Sequence, residues 1–303
     1  MVAKKPETKM EVSGHHVHSL YIGAFDQQFI DQAYVTSYSL HRDGYSEDFL
    51  EDALEQIQYP LFGRWGLIGE KGENDIYAER CSVYIFGQYY GREGLDLKTR
   101  GLLVVSCLAA LLREGVLPTW VNACRNLGWS ENQLKELGAV VSHVAGFPPS
   151  RGALMMMDGV FEKRRALTGE KIEPAPPPYA GTDLPARAEE MAVRLFGDPR
   201  GDMAALPMPD GDGFAKDVSM WVFGYLFVER NLIPVRAKVL AIIAMCVVKG
   251  RMAMARRWMG AARTIGCSRL EVQEALVTTA LYGGFPVAQD ALAILAEIWP
   301  LES

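Results

Sequence analysis

Arg113, Glu114, Trp120, Cys124 and His143 are the residues whose types and spacing could do chemistry in this chain. An arginine holds a carboxylate through two parallel hydrogen bonds. A histidine or glutamate moves a proton. A tryptophan supplies an apolar wall and one N–H donor. Cys124 stands one helical turn after Trp120, so the two share a helix face. A pocket built from these groups would suit a planar or cyclic substrate with an acidic group, with Arg113 and Trp120 binding and His143 or Glu114 moving the proton. Each residue also has a bland reading. A lone histidine on an apolar helix is commonly a satisfied core residue, and a lone cysteine a small hydrophobe. For the arginine it is a pairing with acidic neighbours at a helix end, and for the tryptophan a plug that fills a space rather than lining one.

The same elements return further along. Gly128 and Gly266, and Pro148 and Pro286, are each 138 positions apart, and Trp120 meets Trp258, Arg113 meets Arg251 and Ser130 meets Ser268 at that offset. A gapless register from Leu95–Ala153 to Ile233–Ala291 marks an internal repeat. Arg251 and Trp258 are therefore candidate binding residues too. His143 faces Leu281 in the register, so the histidine belongs to one copy alone.

Within each copy the pattern is helical. Residues 97–114 and 235–250 are apolar nearly all round, which predicts buried central helices. Residues 117–127 and 252–265 end at Gly128 and Gly266, in the position that favours glycine after a helix. Ser130 with Gln133, and Ser268 with Glu271, have capping-box spacing. AGFP and GGFP stop one helix at glycine and open the next at proline. The FG pair Phe86-Gly87 returns at Phe223-Gly224, one residue out of register. No alternating run of useful length appears, so the expected fold is all-α.

The organisation expected is an N-terminal helical extension over 1–75, a first repeat over 76–167, a Pro-rich linker over 168–190 and a second repeat over 191–303. PAPPPYAGTDLP marks the linker as semi-rigid and extended. His15, His16 and His18 form an HHxH group that reads as a solvated tail, since only His41 and His143 remain as partners. No metal site is expected from them.

Composition narrows the function. The net charge of −6 leaves no basic footprint for nucleic acid. The apolar runs are too short to span a bilayer. The N-terminus lacks the apolar stretch of a secretory signal. Five cysteines without CxxC spacing argue against a disulfide framework and for a reducing, cytoplasmic compartment.

The order GLDLKTRGLLVVSCLAALLR, L…A…G, S..Q…E and AGFP, with its second version RAKVLAIIA, W…A…G, S..E and YGGFP, resembles the carboxymuconolactone decarboxylase family, whose superfamily includes the alkyl hydroperoxide reductase D-type peroxidases. The resemblance covers roughly residues 80–165 and 215–300. It implies a helical unit that pairs into dimers and builds rings of six. A tandem chain would supply both members of a pair, giving a homo-oligomer as a trimer of such chains or a dimer. The peroxidase branch needs a CxxC pair, but those positions hold Arg113 and Val116, and Arg251 and Met254. That chemistry is excluded here. The decarboxylase branch has Arg, then Glu three residues later, then His four residues after that. The arginine is kept twice, whereas Val116 and Met254 replace the glutamate and Trp120 and Trp258 replace the histidine. Loss of a general acid or base costs roughly 10²–10⁴-fold in rate.

Three readings stand: a site rebuilt from other residues, a pocket that binds without turnover, and a structural relative whose tryptophans fill the vacated place. The first gives the expected function, a cofactor-independent lyase or isomerase acting on a small cyclic or unsaturated carboxylic acid or lactone. The alternative is a non-catalytic ligand-binding or assembly protein.

Overall fold

Asp96 opens the first long helix among the described residues by accepting from the Thr99 backbone N–H at 2.8 Å and from its hydroxyl at 2.7 Å. The computed structural model describes residue 61 and residues 83–177, 179–204 and 213–301. Apart from residue 61, the N-terminal extension, with His15, His16, His18 and His41, lies outside the described residues. A π-helix over Val83–Tyr90 precedes α1 (Leu97–Ala110), α2 (Leu117–Asn126), α3 (Glu131–Ala145) and α4 (Phe147–Thr168). An extended stretch leads to α5 (Leu184–Phe196), a 3₁₀ turn (Gly201–Met203) and α6 (Phe214–Ser219). A second π-helix (Met220–Glu229) then precedes α7 (Val235–Val248), α8 (Met252–Thr264), α9 (Arg269–Gly283) and α10 (Phe285–Ile298). The chain is all-α, with no strand among the described residues. No helix there is long and apolar enough to cross a membrane.

The local signals act where their chemistry requires. Ser130 and Ser268 each accept from the backbone three residues on, and Gln133 and Glu271 reach back to the serine N–H, so two otherwise orphaned donors are satisfied at each helix start. Gly146 and Gly284 sit at φ 93° and 94°, a conformation that favours glycine, and end α3 and α9. α5 begins at Leu184, inside the stretch expected to be linker. The cause is Pro185 in its first turn, whose fixed φ suits a helix start.

α1 and α7 pack against each other at the centre and are buried over nearly their whole length. Each also packs on the other half's capped helix, α1 on α9 and α7 on α3. Buried charges reciprocate across this boundary. Arg100 of α1 meets Glu274 of α9 at 3.0 Å, and Lys238 of α7 meets Glu136 of α3 at 2.6 Å. The cations also close the ends of the π-helical segments. Arg100 donates to Arg92 O, and Lys238 to Leu226 O and Arg230 O. Cations are favoured at such carbonyl-rich ends. Glu136 in turn accepts from the Leu232 and Ile233 N–H groups.

The halves differ at the turn after the central helix. Gly250 takes φ 67°, and its counterpart Leu112 takes φ 50°, the one non-glycine residue at positive φ among those described. The second π-helix has ten residues against eight in the first. The FG register shift falls inside these segments.

Candidate functional site

Trp120 and Trp258 are both buried, and each is packed by the other half of the chain. Trp120, on α2, stacks on Tyr90 of the first π-helix at 5.4 Å and meets Tyr282 of α9 edge-on at 6.4 Å. The Tyr90 and Tyr282 hydroxyls hydrogen-bond to each other. Burial pushes both phenols well above their ordinary range. In the second half, Trp258 on α8 stacks on Phe227 at 5.9 Å and on Phe223 at 6.4 Å, while Phe196 of α5 meets it edge-on at 5.1 Å. The side chain arriving from the opposite half is His143 of α3, whose ring centre lies 5.5 Å from that of Trp258.

This second cluster is polar as well as aromatic. The indole N–H of Trp258 donates to Asp202 Oδ2 at 3.3 Å, and His143 Nε2 lies 3.6 Å from the same oxygen, too far for a direct hydrogen bond. The 3₁₀ turn presents Asp202 because Gly201 packs directly under Phe223. A Cβ at Gly201 would lie 2.1 Å from the Phe223 ring. Among the described residues four buried side-chain atoms lack a hydrogen-bond partner: Arg125 Nε in the first half, and His143 Nε2, Asp202 Oδ1 and Arg257 Nε around this cluster. Buried polar atoms are nearly always paired, and each orphan costs about 1–3 kcal/mol. Three in one place mark a functional-site candidate. Burial lowers the His143 pKa below the ordinary value of 6.5, Asp202 opposes the shift and Arg257 adds to it. This lowering favours the neutral imidazole of His143 at neutral pH. Cys246 lies in the same field, its thiol pushed far up by burial.

A solvent-open cavity of about 330 Å³ lies beside this cluster, between α5, the 3₁₀ turn and α8, and its lining includes none of His143, Asp202 and Trp258. Phe196 and Arg257 belong both to its lining and to the polar cluster's surroundings.

Several expected placements need correction. His143 joins Trp258 rather than the pocket of Trp120, Arg113 and Cys124, because α3 packs on the other half's elements. Cys124 is fully buried in the core, its Sγ packed over Gly101. Burial pushes its thiol far up, and the group acts as a small hydrophobe. Arg113 and Glu114 are exposed in the α1–α2 turn, and Arg251 is exposed at the start of α8. None of the three makes a side-chain ion pair or hydrogen bond among the described residues, and the cation at the cavity is Arg257. Both indoles fill space. Asp202 and Arg257 were not singled out from sequence. Asp202 lies between loop segments with no periodicity around it. Arg257 follows Arg256, which pairs with Glu297 on the surface, while the helical rotation of one residue turns Arg257 inward.

Residues 220–297, from the second π-helix through α10, match the model of the carboxymuconolactone decarboxylase family. A 4-carboxymuconolactone decarboxylase of Acinetobacter baylyi (strain ATCC 33305 / BD413 / ADP1) is 35% identical over 99 residues, which are 33% of this chain and 73% of that protein. The chain belongs to the carboxymuconolactone decarboxylase family. Trp258 and Arg257 lie inside the matched stretch, and His143 and Asp202 lie outside it.

Proposed function

We propose that this protein is a decarboxylase-like lyase or isomerase acting on a small cyclic or unsaturated carboxylic acid or lactone. Its site is rebuilt in the second half of a tandemly duplicated chain. His143 is the proton carrier, and Asp202 holds and balances it. The observation that carries the reading is the buried His143–Asp202 pair with unpaired atoms on both partners, beside a cavity. Membership of a decarboxylase family and the substrate named for the relative support the substrate class.

The chemistry requires only groups of the substrate and this pair. In decarboxylation the bond to the carboxylate carbon breaks and carbon dioxide leaves. The electron pair moves into the conjugated carbonyl, and His143, after taking up a proton from solvent, delivers it to the product carbon. In isomerisation neutral His143 takes a proton next to the carbonyl and returns it further along the conjugated system. The unsaturated carbonyl is the electron sink, so no cofactor enters either route. A neutral resting imidazole suits the second order of events. Asp202 lowers the cost of the imidazolium formed in both.

The packing of both indoles favours a second reading, in which the chain binds such acids without turning them over. The deciding experiment offers the purified full chain a panel of cyclic unsaturated acids and lactones, 4-carboxymuconolactone among them, and follows carbon dioxide release and loss of conjugated absorbance. Turnover is expected, with His143→Gln and Asp202→Asn each lowering kcat about 10²–10⁴-fold and Trp120→Phe leaving it unchanged. Full activity in His143→Gln, or no turnover on any member of the panel, rejects the proposal.

A further inference from the structure

We infer that Arg257 and the cavity between α5 and α8 form a binding site for a small organic monocarboxylate with an apolar body. Arg257, Gly260, Ala261 and Thr264 follow one another along a single stripe of α8. After the arginine the stripe carries small side chains, and this is why space opens against Leu195 and Phe196 of α5. A Cβ on Gly260 would meet nothing within 4 Å. The Thr264 hydroxyl is committed to Gly260 O at 3.1 Å, which leaves Arg257 as the group able to select a ligand.

Arg257 is in the state that calls for an anion. Its Nε is buried without an acceptor, and no carboxylate among the described residues lies within ion-pairing distance. Its neighbour Arg256 is satisfied by Glu297. A guanidinium fork recognises a carboxylate through two hydrogen bonds, and a cavity of about 330 Å³ is of small-ligand size. One cation in an otherwise apolar wall defines an acid with a single negative charge and an apolar body. The inference supplies the carboxylate-holding group of the proposed function and rests on that reading for its link to His143, which senses the Arg257 charge. The binding itself is tested separately.

The test is calorimetric titration of the full chain with benzoate and with its uncharged analogue benzamide. Benzoate binds and benzamide does not. Arg257→Gln weakens benzoate about 10–100-fold, the worth of a charge-assisted hydrogen bond. Gly260→Leu, which adds a good helix former in open space, fills the cavity and abolishes binding while the circular dichroism of the fold is kept. Arg256→Gln, at the neighbouring surface arginine, leaves benzoate affinity unchanged. Equal binding of benzamide, or undiminished benzoate binding in Arg257→Gln, overturns the inference. If benzoate binds through Arg257 and no acid is turned over, the inference stands and the proposed function falls. If acids are turned over and Arg257→Gln changes neither KM nor benzoate binding, the reverse holds.

Discussion

Lys238 Nζ lies 2.6 Å from Glu136 Oε1 across the boundary between the two halves, and neither side chain is open to solvent. Burial pushes the lysine pKa down, and Glu136 opposes the shift. Removing one member of such a pair strands a charge, whereas replacing both removes the desolvation cost with the attraction. Lys238→Met should therefore destabilise the chain by about 3–5 kcal/mol, and Lys238→Met with Glu136→Gln should recover much of that loss. Urea unfolding of the two variants checks this. Equal destabilisation by the single and double changes would show that the pair is not the source.

His143 makes stability depend on pH, with a sign that follows from its environment. Burial lowers its folded pKa, while Asp202 raises it and Arg257 lowers it further. The unfolded chain takes up this proton first as pH falls, so stability is fully present above about 6.5 and is lost as pH drops toward the folded value. His143→Gln should flatten the profile in that window. Thermal unfolding between neutral and mildly acid pH is the measurement, and an identical slope in the variant would contradict the assignment.

Trp258 is the hydrogen-bond donor to Asp202 at Oδ2, and Asp202 Oδ1 already lacks a partner among the described residues. Trp258→Phe should cost about 1–3 kcal/mol through the stranded carboxyl, in addition to lost ring area. The cost should shrink when Asp202 is already Asn. A double-mutant cycle on unfolding free energy isolates this coupling. Strict additivity would mean that the bond carries no energy.

Gly201 leaves no room for a side chain, being at φ 60° with the Phe223 ring at 2.1 Å from a built Cβ. Gly201→Ala should destabilise by about 2–4 kcal/mol. It should also displace the neighbouring Asp202, lowering turnover more than the stability loss explains. Activity measured well below the unfolding midpoint separates the two effects.

How much of this was legible in the sequence differs between fold and site. The fold was written in local chemistry: capping serines with their partners three residues on, glycines that end helices, prolines that start them, and two apolar stretches that become α1 and α7. These signals act within a few residues, so they survive the absence of tertiary information. The π-helices left only a trace, the one-residue slip of the FG pair. The site was less legible because it is assembled across the chain. His143 was recognised as a candidate, yet its partner Trp258 comes from the other half, and nothing around Asp202 distinguishes it from a turn residue. Arg257 stands directly after Arg256, and periodicity alone does not say which of two adjacent arginines turns inward.

The two aromatic clusters show what one covalent chain permits. In an assembly of identical subunits every substitution is made twice, once on each side of the axis. Here position 143 is histidine while its counterpart 281 is leucine, and Tyr282 closes over Trp120 while His143 closes over Trp258. Among the described residues the side of Trp120 holds an aromatic stack with two paired phenols, and the side of Trp258 holds the unpaired atoms His143 Nε2 and Asp202 Oδ1. A single covalent chain can carry such a difference between matching positions, which a symmetric assembly of identical subunits cannot.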